Sequence, residues 1–560
     1  MPATRPTTPT PMRRTEPESA GLVLSGPPGV GKSTVGAILA ARLDLPLVDL
    51  DERVAAAAGM ELPAIFALEG EAGFRAREGA AVAALERRPA VIVCGGGTLL
   101  DPENRRLLAT RGRQVGLSAS TETLAARLGA SGPRPLLAGG GLAALLAQRQ
   151  AAYDALPWQV DIEGRPPGAV ADEVLRLLAA RDAWRGDAEP LVLPVAAPPD
   201  PFEARGSRPG YAMLVGGRLL DLAGALLRAR GVGGRVVVVS DHTVAALYGR
   251  RLLASLHAAG LDARLLRIRP GEASKSAAPL GRLYRGFLAA GLDRGGTVLA
   301  LGGGVVGDLA GYAAATWLRG VTLVQAPTSL LAMVDSAIGG KTGINLPAGK
   351  NLVGSFKQPA LVLADVACLA TLPPAILAGG LAEVLKAGLV ADEALVDRLD
   401  AGLPAAGDAS AWTDLVLRAA RVKADIVGRD PGERGSERVL LNLGHTFAHG
   451  LEQAADYRLA HGPAVALGLI AAARLARRTG LLQEADLPER LVRLQRSLGL
   501  PTCLKDLGLV VDVTTVLAAM RRDKKGREGR LRLVLPRAVA DVLVVDDVPA
   551  ADMAAVLEGL

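Results

Sequence analysis

The run GPPGVGKST, residues 26–34, constrains the fold of this 560-residue chain more than any other feature. It fits G-x-x-x-x-G-K-[ST], with the apolar GLVLSG before it predicting a strand and an amphipathic helix predicted after it. Glycines at 26, 29 and 31 let backbone amides approach phosphate oxygens, and the helix N-terminus adds a favourable field. Lys32 would reach the β- and γ-phosphates of ATP, Ser33 would ligate Mg²⁺, and Thr34 completes the turn. A strand, a tight turn and a helix in this order predict an α/β region with a parallel sheet flanked by helices.

The length predicts more than one domain, because single cores rarely grow beyond about 250–300 residues. Residues 1–20, MPATRPTTPTPMRRTEPESA, have no apolar stretch of the secretory kind, and their Pro/Thr content predicts a disordered tail. No uncharged apolar run of about 18 residues suggests a membrane span. The cysteines, Cys94, Cys368 and Cys503, are far apart and fit a reduced cytoplasm better than a disulfide framework. The net charge is +7. Nucleic acid is nevertheless not the expected partner: charges are mixed in sign and aromatics for base stacking make up only 3%. Small anionic substrates suit the same balance. Of 64 basic residues only ten are lysines, at 32, 275, 341, 350, 357, 386, 423, 505, 524 and 525. A surface cation can be Arg or Lys, whereas a phosphate-binding point charge or an acid/base amine can require Lys. The lysines are therefore candidates for function.

Two α/β patterns follow one another. The first spans 21–180. Residues 181–210 are rich in Pro and Gly and read as a linker merging into the start of a second region. From 211 to 370 strands and helices alternate again, with RVVVVSD and TVLALGGG as strands. From 371 to 560 helical patterns dominate, and LRLVLP and VADVLVVDD form an apolar β-like pair near the end.

In the first region VDLDE places Asp49 and Asp51 after a strand. GEAGFRARE supplies Arg75, VIVCGGGTLL supplies Gly95, Gly96 and Gly97, GPRPLL supplies Arg134, and QRQAAY supplies Arg149. Each is weak alone. In this order and spacing they resemble shikimate kinase over about 21–178. The resemblance implies that Asp51, Arg75, Gly96, Gly97 and Arg149 bind shikimate. It also implies that Asp49 helps Ser33 position Mg²⁺, that Arg134 is a lid arginine over ATP, and that Asp51 orients or deprotonates the acceptor hydroxyl. Phosphoryl transfer needs charge neutralisation and alignment, which these residue types supply. The family's proline near Arg149 is absent. A gluconate-kinase-like sugar kinase would share the P-loop but not the GFR…GGG set.

In the second region LALGGGVVGDLAG contains G-x-G-x-x-G, but no acidic residue follows about twenty positions on, so this is not an ordinary dinucleotide fingerprint. PGEASKS offers Glu272 and Lys275. TSLLAMVDSAIGGKTGINLPAGKN places Asp335, Lys341, Lys350 and Asn351 in what reads as a Gly-rich, phosphate-cradling loop. With AEVLKAG and LNLGHTFAH…HG these motifs resemble 3-dehydroquinate synthase from about 211 to the C-terminus. The resemblance implies a Rossmann-like NAD-binding domain followed by a mainly helical metal- and substrate-binding domain. It further implies one divalent metal, zinc or cobalt, and 3-deoxy-D-arabino-heptulosonate 7-phosphate as substrate. The implied course is transient oxidation by NAD, phosphate elimination, re-reduction, ring opening and aldol closure. Carried over by position, Asp241, Glu272, Lys275, Gly303, Gly304, Val305, Asp308, Thr328, Ser329, Lys341, Lys350 and Thr371 serve NAD. Arg319, Lys350, Asn351, Arg438, Asn442 and Lys524 hold the heptulosonate phosphate. Asp335, Lys341, Lys386, Lys423 and His449 join the catalytic set, which in the first region contains Lys32 and Asp51. The segment between Glu433 and Arg438 is one residue longer than the family's.

Three of the five histidines, His445, His449 and His461, fall within 26 residues. Spacing alone would pair His445 with His449 on one helix face as metal ligands. The resemblance divides them differently: His445 and His461 with Glu383 for zinc, His449 for substrate. The reading is a cytoplasmic bifunctional enzyme acting on small molecules, without nucleic acid or membrane, and a homodimer through its second region. The alternatives are another sugar-phosphate cyclase in the second half, or one inactive region kept as a scaffold. A glycerol-dehydrogenase-like relative would lack the GGKTGIN lysines.

Overall fold

The computed structural model describes residues 21–129, 141–186, 188–198, 210–433, 437–523, 531–546 and 548–560. Arg134 and Lys524 lie outside the described residues. The chain forms two compact units that meet in sequence at Leu175 and Arg176.

The first unit holds strands β1 (Gly21–Ser25), β2 (Leu47–Asp49), β3 (Val91–Val93), β4 (Gly112–Ser118) and β5 (Gln159–Asp161), in the spatial order β2-β3-β1-β4-β5 and all parallel. Leu22, Val23 and Leu24 are buried, as expected where helices cover both faces of a parallel sheet. The helices that carry function are α1 (Lys32–Leu43), α2 (Leu50–Ala58), α3 (Leu62–Ala83, broken at Gly70) and α4 (Gly141–Asp154). Asp49 and Leu24 both pair with Val93 across the sheet. The chain therefore leaves β1, β2 and β3 side by side at their C-terminal ends, where open α/β sheets place ligands.

The second unit is built on a seven-stranded sheet. Its strands are β6 (Leu191–Val195), β7 (Tyr211–Gly216), β8 (Arg235–Asp241), β9 (Asp262–Ile268), β10 (Thr297–Gly302), β11 (Thr322–Pro327) and, later in the chain, β14 (Leu361–Asp365). The order is β6-β7-β14-β11-β10-β8-β9, with only the β6–β7 pair antiparallel. The Pro-rich segment thus contributes an edge strand, a position that tolerates Pro194. Val237, Val239, Phe287, Val298 and Ala310 are part of the core beside this sheet. Gly302 pairs with Pro327 and Leu301 with Ser240, so Asp241, Gly303 and Thr328 emerge together. Gly304–Thr316 follows as α5.

The stretch 341–356 is not the loop expected from its glycines. It is a hairpin, β12 (Lys341–Leu346) and β13 (Gly349–Phe356). Gly343 faces Gly354, and a Cβ on either would stand 2.6 or 2.3 Å from a carbonyl oxygen of the opposite strand. These glycines serve close strand approach rather than a phosphate loop.

Beyond residue 370 helices dominate: α6 (Pro374–Ala391), α7 (Ala409–Arg429), α8 (His445–Ala454) and α9 (His461–Arg478). The apolar pair near the end forms the hairpin β15 (Arg532–Ala538) and β16 (Asp541–Asp546). Helix α6 is long and apolar enough to cross a membrane, but 72% of it is buried inside the protein. A helix apolar all round belongs in a core. Two charges on it, Glu383 and Lys386, are buried together.

Candidate active sites

In the first unit Gly26, Gly29 and Gly31 have φ of 143°, 80° and 94°, the left-handed range that glycine reaches without a Cβ penalty. This turn leads from β1 into α1. Lys32 Nζ donates to the carbonyls of Gly26 and Pro27, both at 3.0 Å, which holds the ammonium over the turn. Ser33 Oγ donates to Asp49 Oδ2 at 2.8 Å. The hydroxyl of the turn and the carboxylate at the end of β2 therefore meet where a hard cation would take oxygen ligands. Asp49 also caps α2 by accepting from the Asp51 amide at 3.0 Å. Burial raises the Asp51 carboxyl above its ordinary value, with Lys32 opposing. Thr34 follows in α1 and is exposed.

The glycine triplet explains how the acceptor residues converge. A Cβ at Gly95 would stand 2.6 Å from Asp51 Oδ1, at Gly96 3.2 Å from Arg149 Nη1, and at Gly97 2.1 Å from Arg75 Nη2. Bare backbone is needed for one carboxylate and two guanidinium groups to crowd against the end of β3. Arg149 is buried, and its Nη2 lies 3.8 Å from Glu71 Oε1. Arg75 donates from Nη1 to Glu78 Oε2 at 2.6 Å and from Nη2 to Glu71 Oε1 at 3.0 Å. Sequence reasoning missed Glu78. It is buried, and Thr98 Oγ1 donates to its other oxygen at 2.6 Å. The available signals were its place one turn after Arg75 and the threonine next to the triplet.

In the second unit Gly303 caps α5 without a side-chain hydrogen bond. Cβ atoms at Gly303 and Gly304 would stand 3.3 Å from Ser329 Oγ and 3.1 Å from Ser336 Oγ. The amide-bearing end of α5, with Val305 in its first turn, is thus stripped of side chains, the form that accepts a phosphate. Lys275, buried, reaches Asp308 Oδ2 at 2.5 Å and also the side-chain oxygen of Asn351. Glu272 accepts from Asn345 Nδ2 at 2.6 Å, and Asp241 accepts from the amides of Thr243 and Val244. The Thr328 amide donates to Gly302 at 3.0 Å, and Thr371 Oγ1 lies 2.5 Å from the Tyr248 hydroxyl.

A second group gathers on α6, α8 and α9, with α7 beside it. Glu383 Oε1 lies 3.3 Å from Nε2 of both His445 and His461, and the three ligand atoms are all within 4.8 Å of one another. Lys386 Nζ is 2.5 Å from Glu383 Oε2, yet neither carboxylate oxygen has a well-aligned hydrogen-bond donor. Burial raises the Glu383 carboxyl, but Lys386 and His445 outweigh it and hold it well below the usual range. Burial pulls the His461 imidazole down, but the neighbouring carboxylates of Glu383 and Glu452 raise it to about 10. Two imidazole nitrogens and a carboxylate oxygen around a point that favours positive charge fit a divalent cation, with positions left for substrate oxygens. His449 is beside them, its ring centroid 5.6 Å from that of His445 and 6.3 Å from that of His461, outside the three-residue cluster.

Lys423 donates to the backbone and side-chain oxygens of Asp335 at 2.7 and 2.6 Å. Burial lowers the Lys423 pKa, and the Lys423 charge keeps Asp335 ionised despite its own burial. Lys341 pairs with Glu433 at 2.8 Å, and Lys350 with Glu452 at 3.2 Å. Arg438 is buried, its Nε and Nη1 lack hydrogen-bond partners among the described residues, and its Nη2 donates to Gly339 O at 3.4 Å. Asn442 ends the turn that leads into α8. Arg319 stands exposed beyond the far end of α5, about 20 Å along the helix from Gly303.

Comparison with known proteins agrees with both halves. The shikimate kinase family model matches residues 28–179. The 3-dehydroquinate synthase N-terminal and C-terminal models match 265–378 and 380–526. The 3-dehydroquinate synthase of Symbiobacterium thermophilum is 46% identical over 341 residues, 60% of this chain and 94% of the relative. That of Nostoc punctiforme is 41% identical over 355 residues, 62% of this chain and 96% of the relative. Among solved structures, the 2-epi-5-epi-valiolone synthase of Streptomyces hygroscopicus, with NAD⁺ and Zn²⁺ bound, aligns at a TM-score of 0.57 and 31% identity, covering 67% of this chain and 99% of that one. A 2-deoxy-scyllo-inosose synthase complexed with carbaglucose-6-phosphate, NAD⁺ and Co²⁺ aligns at 0.57 and 25%, covering 66% and 99%. The chain belongs to the 3-dehydroquinate synthase family and carries a shikimate kinase family region ahead of it, a kinase and a lyase of the shikimate pathway on one polypeptide.

Proposed function

We propose that the first unit transfers the γ-phosphoryl group of ATP to shikimate, and that the second converts 3-deoxy-D-arabino-heptulosonate 7-phosphate to 3-dehydroquinate and phosphate. The observation that carries the first reading is the convergence of Asp51, Arg75 and Arg149 on three bare glycines beside the Lys32 turn. Arg75 and Arg149 would take the acceptor's carboxylate as forks. Asp51 would orient or deprotonate the hydroxyl, and Lys32 with the turn amides would hold the phosphates. Arg134 and Thr34 belong to the same ATP set by sequence. Mg²⁺ would be held by Ser33 and Asp49 and would neutralise phosphate charge.

The Glu383–His445–His461 cluster beside a cluster of lysines carries the second reading. Glu383, His445 and His461 would hold a zinc or cobalt ion, which would supply polarisation of a substrate hydroxyl, and the Gly303 end of α5 would hold NAD, which would supply hydride chemistry. The chain's own residues do the rest. Asp241, Glu272, Lys275, Gly303–Val305, Asp308, Thr328, Ser329 and Thr371 would seat the dinucleotide. Lys341, Lys350, Asn351, Arg438, Asn442 and Lys524 would bind phosphate, carboxylate and hydroxyls. Asp335, Lys386, Lys423 and His449 would hold and move protons around the reacting carbons. The identities above 40% favour 3-dehydroquinate as product over the cyclitols made by the two structural relatives. We place the enzyme in the cytoplasm, where its free cysteines Cys94, Cys368 and Cys503 stay reduced. We also read it as a homodimer through the second unit.

One preparation tests both activities: shikimate-dependent ADP formation, and phosphate release from the heptulosonate phosphate with NAD and zinc. Absence of either sinks that half. Gly97→Ala tests the acceptor geometry. Its methyl would displace Arg75, which is anchored on buried Glu78, so kcat/KM for shikimate should fall by about 100-fold, the cost of an ångström-scale misplacement. KM for ATP should hold. An unchanged shikimate KM would remove Arg75 from the site.

A further inference from the structure

We propose that Glu452 is a positioning residue that ties the metal ligand His461 to Lys350 on the β12–β13 hairpin. One carboxylate would then set the orientation of an imidazole and the place of a substrate-side ammonium. The inference rests on the metal reading above. Glu452 is buried in the last turn of α8. Its Oε1 lies 2.8 Å from His461 Nδ1 and its Oε2 3.2 Å from Lys350 Nζ. A carboxylate oxygen accepts, so Nδ1–H of His461 donates to Glu452, which leaves Nε2, 3.3 Å from Glu383 Oε1, as the atom that would bind a metal held with Glu383. Partners of this kind fix the tautomer of metal-bound histidines and raise their basicity.

The other ligand is oriented differently. His445 Nδ1 donates to the backbone carbonyl of Leu443 at 3.2 Å, a partner that belongs to the chain's own turn. His461 relies on a side chain that is shared. The sharing is built in on the lysine's other face as well. Lys350 Nζ stands 4.7 Å from the centroid of the Tyr457 ring. Tyr457 and its neighbour Asp456 have φ of 56° and 49°, and the Tyr457 amide donates to Glu452 O at 2.8 Å. Two consecutive non-glycine residues in this left-handed region persist only where the surroundings impose them. The end of α8 and the turn that follows it thus present a carboxylate and a ring to one ammonium. A substrate phosphate that draws Lys350 away would leave Glu452 wholly to His461. Lys350 occupancy and metal affinity are therefore coupled, and the coupling is reciprocal.

The test is zinc affinity of the metal-stripped full chain, by competition with a chromophoric chelator, with the Co²⁺ visible spectrum as a coordination readout. E452Q keeps the shape and loses the charge, and should bind zinc about 10- to 100-fold more weakly. K350M should bind zinc at least about five-fold more tightly, because it removes a cation and frees Glu452 for His461. The opposite signs separate coupling from damage, since a merely structural defect weakens both. Wild-type affinity in E452Q, or weaker or unchanged affinity in K350M, would overturn the proposal. A wild-type chain that takes up no zinc or cobalt would instead overturn the metal reading beneath it.

Discussion

Lys32→Ala should lower shikimate-dependent ADP formation by at least about 1,000-fold while phosphate release from the heptulosonate phosphate continues at the wild-type rate. The ammonium is held over the P-loop by the carbonyls of Gly26 and Pro27, where phosphate charge would build up during transfer. Arg75 and Arg149 lie on the acceptor side, against Gly97 and Gly96. Loss of both activities in this variant would reveal a dependence between the two units that their separate active-site clusters do not require. Initial rates in the two assays on one preparation decide the matter.

Glu383→Gln should have the converse effect, removing stoichiometric zinc and heptulosonate-phosphate turnover while sparing ADP formation. The change is nearly isosteric, but it removes the charge on which His445 and His461 converge. It also unpairs Lys386. Breaking a buried ion pair costs about 3–5 kcal/mol, because one charge is left uncompensated. Asp335, which also acts on Lys386, offsets part of that cost. The variant should therefore melt earlier than wild type yet remain folded enough to bind nucleotide at the P-loop. Metal content measured on the refolded variant checks the assignment. Full zinc occupancy would remove Glu383 from the ligand set.

The sequence was most informative where function lies in the backbone. The P-loop was legible because glycine at 26, 29 and 31, with a strand before and a helix after, leaves few conformations open. The Gly95–Gly97 triplet was legible only through its resemblance to a family, since glycines report a close approach without naming what approaches. The hairpin at 341–356 misled for the same reason: its facing glycines admit the opposite strand. Glu78 looked like any helix glutamate, because burial beneath a strand end is a tertiary property. The histidines show this limit most plainly. Helical spacing pairs His445 with His449, whereas Nε2 of His445 and of His461 meet at one oxygen of Glu383. No local rule links α6, α8 and α9 at that point.

The most direct measurement is the identity and amount of product formed when the purified chain receives the heptulosonate phosphate, NAD and zinc. The account predicts phosphate and 3-dehydroquinate in equal amounts, with no net reduction of NAD, and loss of both when a chelator removes the metal. No phosphate release, or release accompanied by a different cyclic ketone, would contradict it.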